Sequence, residues 1–101
     1  MKIAGFEWDG GNWPKCGKHG ASREEVEQVL RIAAVAPDSK HSQREPRYIA
    51  VGRTDAGRPM FVAFAIRQQP DGQHVIRPIS ARYMHAKEAK RYEESVAVQD
   101  R

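Results

Sequence analysis

Six arginines and no lysine occur between residues 46 and 82 of this 101-residue chain. Only Asp55 and Asp71 are acidic in that stretch, and the rest of the chain carries equal numbers of basic and acidic residues. The formal net charge of +4 therefore arises in this stretch, from Arg47, Arg53, Arg58, Arg67, Arg77 and Arg82. A planar guanidinium forks onto phosphate oxygens and stacks on bases. The stretch predicts contact with nucleic acid.

These arginines suit cleavage of RNA by its own 2′-hydroxyl group. That reaction needs one group to take the hydroxyl proton, one to stabilise charge on the phosphate and one to protonate the leaving 5′-oxygen. Positively charged forks perform the second task. We predict that Arg53, Arg77 and Arg82, which lie on or at the ends of predicted strands, grip the scissile phosphate. The alternative is that each is solvated or pairs with a carboxylate such as Glu45 or Glu93.

Two histidines are predicted to transfer protons, because imidazole titrates within about a unit of neutral pH. His19 ends a predicted helical turn, where capping or packing is the alternative role. His41 lies in a polar loop, where an uninvolved surface position is the alternative. His85 precedes a helix, where capping the helix is the alternative to binding RNA.

Other basic and aromatic side chains are predicted to bind RNA. Core packing is the alternative for the aromatic one, because Tyr92 has helical spacing from Ala89 and Val96. The predicted RNA-binding residues are Lys15, Lys18, Arg47, Arg67, Tyr92 and His85. No metal or cofactor is predicted, since Cys16-x-x-His19 lacks a second ligand pair and no glycine-rich phosphate loop is present.

The pattern of apolar and turn residues predicts an α+β fold. It consists of a small antiparallel sheet with two N-terminal helices and one C-terminal helix. The sheet combines an N-terminal strand with a three-stranded meander, at residues 2–8, 47–53, 59–67 and 74–81. Met60, Val62, Phe64 and Ile66 supply its core face. Pro78 requires an edge position or a bulge in its strand.

The helices are predicted from their ends. One or two helical turns are expected within residues 10–19, despite two glycines and Pro14. Ser22 and Glu25 form a capping box that begins the next helix. A charged helix follows at residues 86–95, with Glu88 in its first turn. Residues 37–46 are predicted to form an exposed loop.

The chain's length and composition fit one domain spanning residues 1–101. The sequence pI near 9.5 favours polyanionic partners. The single cysteine is compatible with a reducing compartment, and no secretory or membrane-spanning segment is recognisable. We predict a cytoplasmic protein.

An ordered set of short motifs covers most of the chain. The chain carries Phe6-x-Trp8-Asp9, Asn12-x-x-Lys15, Lys18-His19-Gly20, Asp38-x-x-His41-Ser42, Gly52-Arg53-Thr54, Gly57-Arg58, Ile76-Arg77-Pro78-Ile79-Ser80-Ala81-Arg82 and Tyr92-Glu93. This set closely resembles the BrnT toxins of bacterial type II toxin–antitoxin systems. The chain departs from the family pattern in its short, proline-bearing segment after Asp9, and at His85, where many relatives carry Ser or Thr.

The resemblance implies a small α/β ribonuclease with a fold similar to RelE toxins. It also implies inhibition by a BrnA-like ribbon-helix-helix antitoxin, in a complex that binds its own operator DNA. The function predicted is that of a metal-independent endoribonuclease acting on messenger RNA. Two other classes stay open. One is a non-catalytic nucleic-acid-binding module, or a degenerate toxin acting in transcriptional autoregulation. The other is an interaction protein whose basic sheet receives an acidic segment.

Overall fold

A mixed sheet with one α-helix on each face forms the protein. The computed structural model describes residues 3–32, 34–37 and 45–99. The strands are β1 (Ile3–Phe6), β2 (Ala34–Pro37), β3 (Arg47–Arg53), β4 (Pro59–Gln68) and β5 (His74–Tyr83). The helices are α1 (Arg23–Ile32) and α2 (Ala86–Gln99). Along the sheet the strands follow the order β1-β5-β4-β3-β2. Neither helix, within the residues described, has the length and apolar character needed to cross a bilayer.

Three of the predicted strands form the centre of the sheet. β3, β4 and β5 are consecutive antiparallel neighbours, as the meander prediction required. Tight turns join them, and Gly57 (φ 84°) and Gly72 (φ 86°) adopt the left-handed backbone conformation that these turns need. Apolar alternation and turn residues were therefore sufficient to locate these strands.

The predicted fold as a whole is wrong. The sheet is not purely antiparallel, because β1 lies parallel to β5, with Phe6 opposite Ile76. A parallel neighbour arises because the chain reaches β5 only after a long connection and not through a hairpin. The strand β2, which pairs with β3, was not predicted. Its four residues are too few to show an alternating pattern.

The predicted first helix is also wrong. In its place the structure has a 3-10 helix of three residues, Lys15–Gly17. Pro14 has no N–H group to donate, and flanking glycines disfavour helix. In the described residues α1 and α2 are therefore the only α-helices, two and not three. The predicted loop at 37–46 falls mostly on residues 38–44, which lie outside the described residues, while Pro37 ends β2.

Pro78 produces a bulge in β5. Ala63 on β4 pairs with Ser80 and Phe64 pairs with Pro78, so Ile79 has no partner of its own. Proline cannot donate to the ladder, which explains the irregularity at this position. The strand lies between β4 and β1, so the bulge and not an edge position accommodates the proline.

Two apolar clusters define the two faces of the sheet. On the first, which we call the α1 face, Met60, Val62 and Phe64 pack with Val26 and Val29 of α1. The capping box begins this helix as predicted: Ser22 N–H donates to Glu25 Oε1, and Glu25 N–H donates to Ser22 Oγ, both at 3.1 Å.

On the opposite side, the α2 face, a smaller cluster of Val51, Met84 and Ala89 packs with Phe61 and Tyr92. One end of the sheet is formed by Arg53, Pro59 and Tyr83, where the β3–β4 turn lies. We call it the turn end. The opposite end contains Arg47, Gln68 and His74.

Candidate functional site

Arg53 and Arg82 lie together on the α2 face at the turn end. Arg53 pairs with Pro59 and Arg82 with Phe61, and successive odd-numbered residues of β4 point to the same side. Their Cα atoms are two strand spacings and two residues apart, roughly 12 Å. Long guanidinium side chains can therefore reach one phosphate group or two successive ones. Arg53 and Arg82 therefore share a face, and their binding of phosphate stays a prediction.

Each of these guanidiniums forms an ion pair with a carboxylate of α2. Arg82 donates to both oxygens of Glu88, at 2.9 and 3.1 Å, and stacks 4.8 Å from the centroid of Phe61. Arg53 Nε lies 3.0 Å from Glu93 Oε1. The side chains of Arg82 and Arg53 remain 43% and 48% exposed. Exposed ion pairs of this kind contribute little to stability, so a phosphate group can replace the carboxylates.

The Arg82–Glu88 pair keeps both groups charged. The hydrogen bond from Arg82 lowers the pKa of the Glu88 carboxyl, and the same bond raises the pKa of the Arg82 guanidinium. Both shifts are the direct effect of a charge-assisted contact. The Arg82–Glu88 pair therefore holds one positive charge on the sheet and one negative charge on α2 across the neutral pH range.

Arg77 is on the α2 face too, but towards the opposite end. Its partner on β4 is Ala65, four residues from Phe61, which separates it from Arg82 by roughly 14 Å along the strand. Its side chain is only 14% exposed. It donates to Glu7 at 2.9 Å and to both oxygens of Asp9, at 2.8 and 3.0 Å. The structure places Arg77 in an ion network that ties the segment after β1 to β5.

Asp9 shows how strongly that network holds charge. The Arg77 side chain, with the Gly11 N–H, lowers the pKa of the Asp9 carboxyl from 3.8 to about 2. A lowered folded-state pKa stabilises the protein at pH values above the unfolded pKa. This contribution is therefore complete above about pH 4, and it is lost as the pH falls through about 2.

Replacing Arg77 with alanine is expected to weaken folding and not cleavage. The free energy of unfolding should fall by about 1 kcal/mol, which lowers Tm by about 4–8 °C in a domain of this size. Thermal unfolding at pH 7 measures this change. Arg31→Ala, at an exposed helix position, should stay within about 0.5 kcal/mol of the parent protein. An unchanged Tm with lost RNA cleavage would instead return Arg77 to the phosphate-gripping role predicted from sequence.

Two arginines predicted to bind RNA also lie away from the turn end. Arg67 pairs with Glu7 at 3.4 Å and with Glu45 at 3.2 Å. Arg47 begins β3 at the opposite end of the sheet. The alternative of carboxylate pairing is thus realised at Glu45, as it is for Arg53 at Glu93.

Of the two histidines predicted to transfer protons and the one predicted to bind RNA, two lie at the turn end and one lies outside the described residues. His19 is exposed and adjoins Gly20, whose carbonyl oxygen lies 3.3 Å from the Tyr83 hydroxyl. His85 is exposed and follows β5 directly. His41 lies outside the described residues. His19 belongs to the segment that packs on the α1 face, whereas Arg53 and Arg82 lie on the other face.

The remaining predicted site residues also lie on different faces of the sheet. Lys15 and Lys18 are exposed in the segment whose Cys16 packs on the α1 face. Tyr92 packs with the cluster beneath α2, which matches the core-packing alternative. Burial raises the pKa of the Cys16 thiol to about 11. The thiol therefore stays protonated at neutral pH, which opposes a role as nucleophile or metal ligand.

The arginine-rich strands and the residues around them match a known protein family. A family model described as "Ribonuclease toxin, BrnT, of type II toxin-antitoxin system" matches residues 8–88. The chain belongs to the BrnT family. The match includes every arginine from Arg47 to Arg82 and the α2 residue Glu88. A search of curated proteins found no match.

Several residues that shape this BrnT site were not singled out from sequence. Asn12 is 2% exposed and binds three backbone groups, the N–H of Asp9 and the carbonyls of Glu7 and Pro78. It appears in the family motif, which was the one available signal. Tyr83 donates to Glu25 Oε1 at 2.6 Å. Tyr83 and Glu25 are far apart in the chain, so no rule of sequence spacing predicts this contact.

Proposed function

We propose that the chain is a metal-independent endoribonuclease that cleaves messenger RNA through attack by the RNA's own 2′-hydroxyl group. Membership of the BrnT family supports ribonuclease activity. The observation that carries the mechanism is the pair of half-exposed guanidiniums, Arg53 and Arg82, on one face at the turn end. Charge stabilisation by preorganised donors is the largest single contribution in reactions of this type.

The scissile phosphate replaces the α2 carboxylates on these arginines. Glu88 already binds Arg82 through both of its oxygens, so its geometry resembles that of a phosphate bound by the same fork. Stacking on Phe61 fixes the plane of the Arg82 guanidinium. As negative charge develops on the phosphate during 2′-oxygen attack, the two cations stabilise it more strongly than they stabilise the bound ground state.

A histidine at the turn end transfers one of the two protons. His85 follows β5 directly and lies beside the Arg82–Glu88 pair, since its backbone N–H contacts the Glu88 carboxylate. His19 is at the same end but on the α1 face, and His74 begins β5 at the opposite end. His85 would therefore accept the 2′-hydroxyl proton or protonate the leaving 5′-oxygen, and His85→Ala should remove one limb of the dependence of kcat/KM on pH.

The test is cleavage of a messenger RNA by the purified chain in EDTA. Fragments ending in a 2′,3′-cyclic phosphate are expected, because the 2′-oxygen is the nucleophile. The same RNA carrying 2′-O-methyl groups should stay intact. Uncut RNA after long incubation with stoichiometric protein and no antitoxin would refute the proposal.

A BrnA-like ribbon-helix-helix antitoxin is the proposed inhibitor, in the bacterial cytoplasm. A type II toxin is held by a protein partner, and acidic groups from that partner suit the positive charge of the turn end. The complex would bind operator DNA through the antitoxin. Co-purification of the chain with the product of an adjacent gene, with loss of RNA cleavage, is the expected result.

A non-catalytic nucleic-acid-binding module is the second candidate. It is favoured by the position of His19, which lies on the face opposite Arg53 and Arg82 and so away from the proposed phosphate site. Such a module would bind RNA in a salt-sensitive way without turning it over. The EDTA experiment separates the two candidates.

A further inference from the structure

Arg58 differs from Arg53 and Arg82 at the turn end in having no carboxylate partner within the residues that the structure describes. Its guanidinium carbon lies 3.4 Å from the centroid of the Tyr83 ring. Arg53 and Arg82 each form an ion pair, whereas none joins Arg58 to an acidic side chain in the residues that the structure describes. The Arg58 side chain is exposed. The hydrogen bond from Tyr83 and, to a smaller extent, the charge of Arg58 lower the pKa of the Glu25 carboxyl. The N–H groups of Arg58 are nevertheless available to a ligand, because no ion pair occupies them in the described residues.

The position of Arg58 is fixed from both of its sides. Its N–H donates to Thr54 Oγ1 at 3.2 Å, and its carbonyl accepts from Thr54 N–H at 2.9 Å. The ring beneath it is held by the hydrogen bond from the Tyr83 hydroxyl to Glu25. A guanidinium lying on a ring face keeps its N–H groups in its own plane, directed outward. The arrangement is that of a preorganised fork.

Other cations that form no ion pair with a described residue lie on the same face as Arg58. Arg23 stacks over Trp13, with its guanidinium carbon 5.4 Å from the ring centroid, and no ion pair holds it in the described part of the chain. Lys15 and Lys18 are exposed in the segment that reaches Tyr83 at Gly20. The acidic groups there are Glu25, bound to Tyr83, and the exposed Glu24 and Asp55. Arg58 is the best oriented of these cations.

We propose that Arg58 binds a phosphate of the RNA substrate, and that the RNA strand crosses the turn end from the α2 face to the α1 face. The proposal rests on the proposed ribonuclease function and extends its site. Only the Thr54–Gly57 turn separates Arg58 from Arg53. The two guanidiniums therefore lie on opposite faces of the sheet at its turn end. Phosphates repeat along an RNA strand, so neighbouring nucleotides can occupy both positions. Tyr83 acts as a positioning residue for Arg58.

Salt-dependent binding tests this proposal. The probe is a single-stranded 2′-O-methyl RNA, which cannot be cleaved by 2′-hydroxyl attack. Arg58→Ala should weaken binding about tenfold. It should also reduce the slope of log affinity against log salt by about 0.7, the value for one lost phosphate contact on a single strand. Arg58→Lys should restore the slope, because it restores the charge.

Arg31→Ala is the matched control. Arg31 is also an exposed arginine stacked on an aromatic ring, 5.5 Å from the centroid of Phe6, but it pairs with Glu27 and lies away from the turn end. Its removal should leave affinity and slope unchanged. Tyr83→Leu should weaken binding through Arg58, so its effect should be largely absent in the Arg58→Ala background.

The outcomes separate this proposal from the proposed function. If Arg53→Ala and Arg82→Ala lower RNA affinity while a folded Arg58→Ala protein keeps the parent affinity and slope, the Arg58 proposal is overturned and the ribonuclease function stands. If no variant changes the affinity and RNA stays uncut, the proposed function fails. If Arg58→Ala weakens the binding of an acidic protein partner but not of RNA, the Arg58 guanidinium serves that partner, and the proposal is overturned.

Discussion

Replacing Arg53 and Arg82 together with alanine is expected to lower kcat for RNA cleavage by at least about 10²-fold. Removal of a single preorganised donor from an anion-stabilising site typically costs about 10²–10³ in kcat. Both side chains are half exposed and neither is part of the core, so folding should persist. Single-turnover cleavage of a defined RNA measures the chemical step without product release.

Charge removal on α2 is the matched control for this prediction. Glu88→Gln and Glu93→Gln break the same ion pairs from the other side. If the arginines matter because they bind phosphate, removing the competing carboxylates should strengthen RNA binding and maintain cleavage. If the arginines matter only because they attach α2 to the sheet, both sets of variants should lose activity to the same extent. The latter result would contradict the proposed site.

The arginines could be located from sequence, but their roles could not. All three arginines predicted to grip phosphate lie on the α2 face. They differ in the exposed fraction of the side chain and in the carboxylates that each one binds. Arg77 is nearly buried between Glu7 and Asp9, whereas Arg53 and Arg82 are open to solvent. These partners come from residues distant in the chain, so local sequence patterns contain no information about them.

The shared face of Arg77 and Arg82 depends on the bulge at Pro78. In a regular strand, residues five positions apart point to opposite faces. The unpaired Ile79 adds one residue to β5 and brings Arg82 back to the side of Arg77. The sequence predicted a bulge or an edge position, and only the pairing partners distinguish the two. Side-chain direction beyond the proline was therefore not predictable from the sequence.

The errors in the fold share a physical origin. The three central strands were predictable because each is long enough to alternate and each is joined to the next by a glycine-containing turn. β1 and β2 are four residues long, and β1 is placed by contacts with β5, more than sixty residues away. Tertiary pairing of that kind overrides local propensity. The segment between β1 and α1 likewise depends on the Asn12 side chain and not on helix propensity.

Asn12→Asp is expected to be among the most destabilising single substitutions in the chain. The change is almost isosteric, but it replaces the amide that donates to the carbonyls of Glu7 and Pro78, at 2.8 and 2.9 Å, with an oxygen atom. The side chain is buried, so water cannot supply the lost donors. We expect a loss of about 2–4 kcal/mol, from a total of about 5–15 kcal/mol for a domain. Urea unfolding at pH 7 measures it.

The pH dependence of that loss tests its cause. A carboxyl facing two carbonyls in a buried position has a pKa above its unfolded value of about 3.9. The protonated form can donate one hydrogen bond. Relative to the parent protein, the variant's deficit should therefore be smallest below about pH 4 and should grow as the pH rises through the raised folded-state pKa. Gln69→Glu, the same amide-to-acid change at an exposed position, should show neither effect. A deficit that is independent of pH would contradict the assignment of Asn12 as a buried backbone donor.

Loss of the Asn12 contacts should also reach the turn end. Asn12 fastens the segment between β1 and α1 to the edge of β5 at Pro78, and the same segment continues to Gly20 beside Tyr83. If that segment detaches, its lysines, which are predicted to bind RNA, leave the turn end before the sheet unfolds, because they are held by fewer contacts than the core strands. Asn12→Asp should then lower RNA cleavage even at temperatures where the sheet stays folded. Parallel loss of cleavage and of sheet structure would show that the segment and the sheet unfold as one unit.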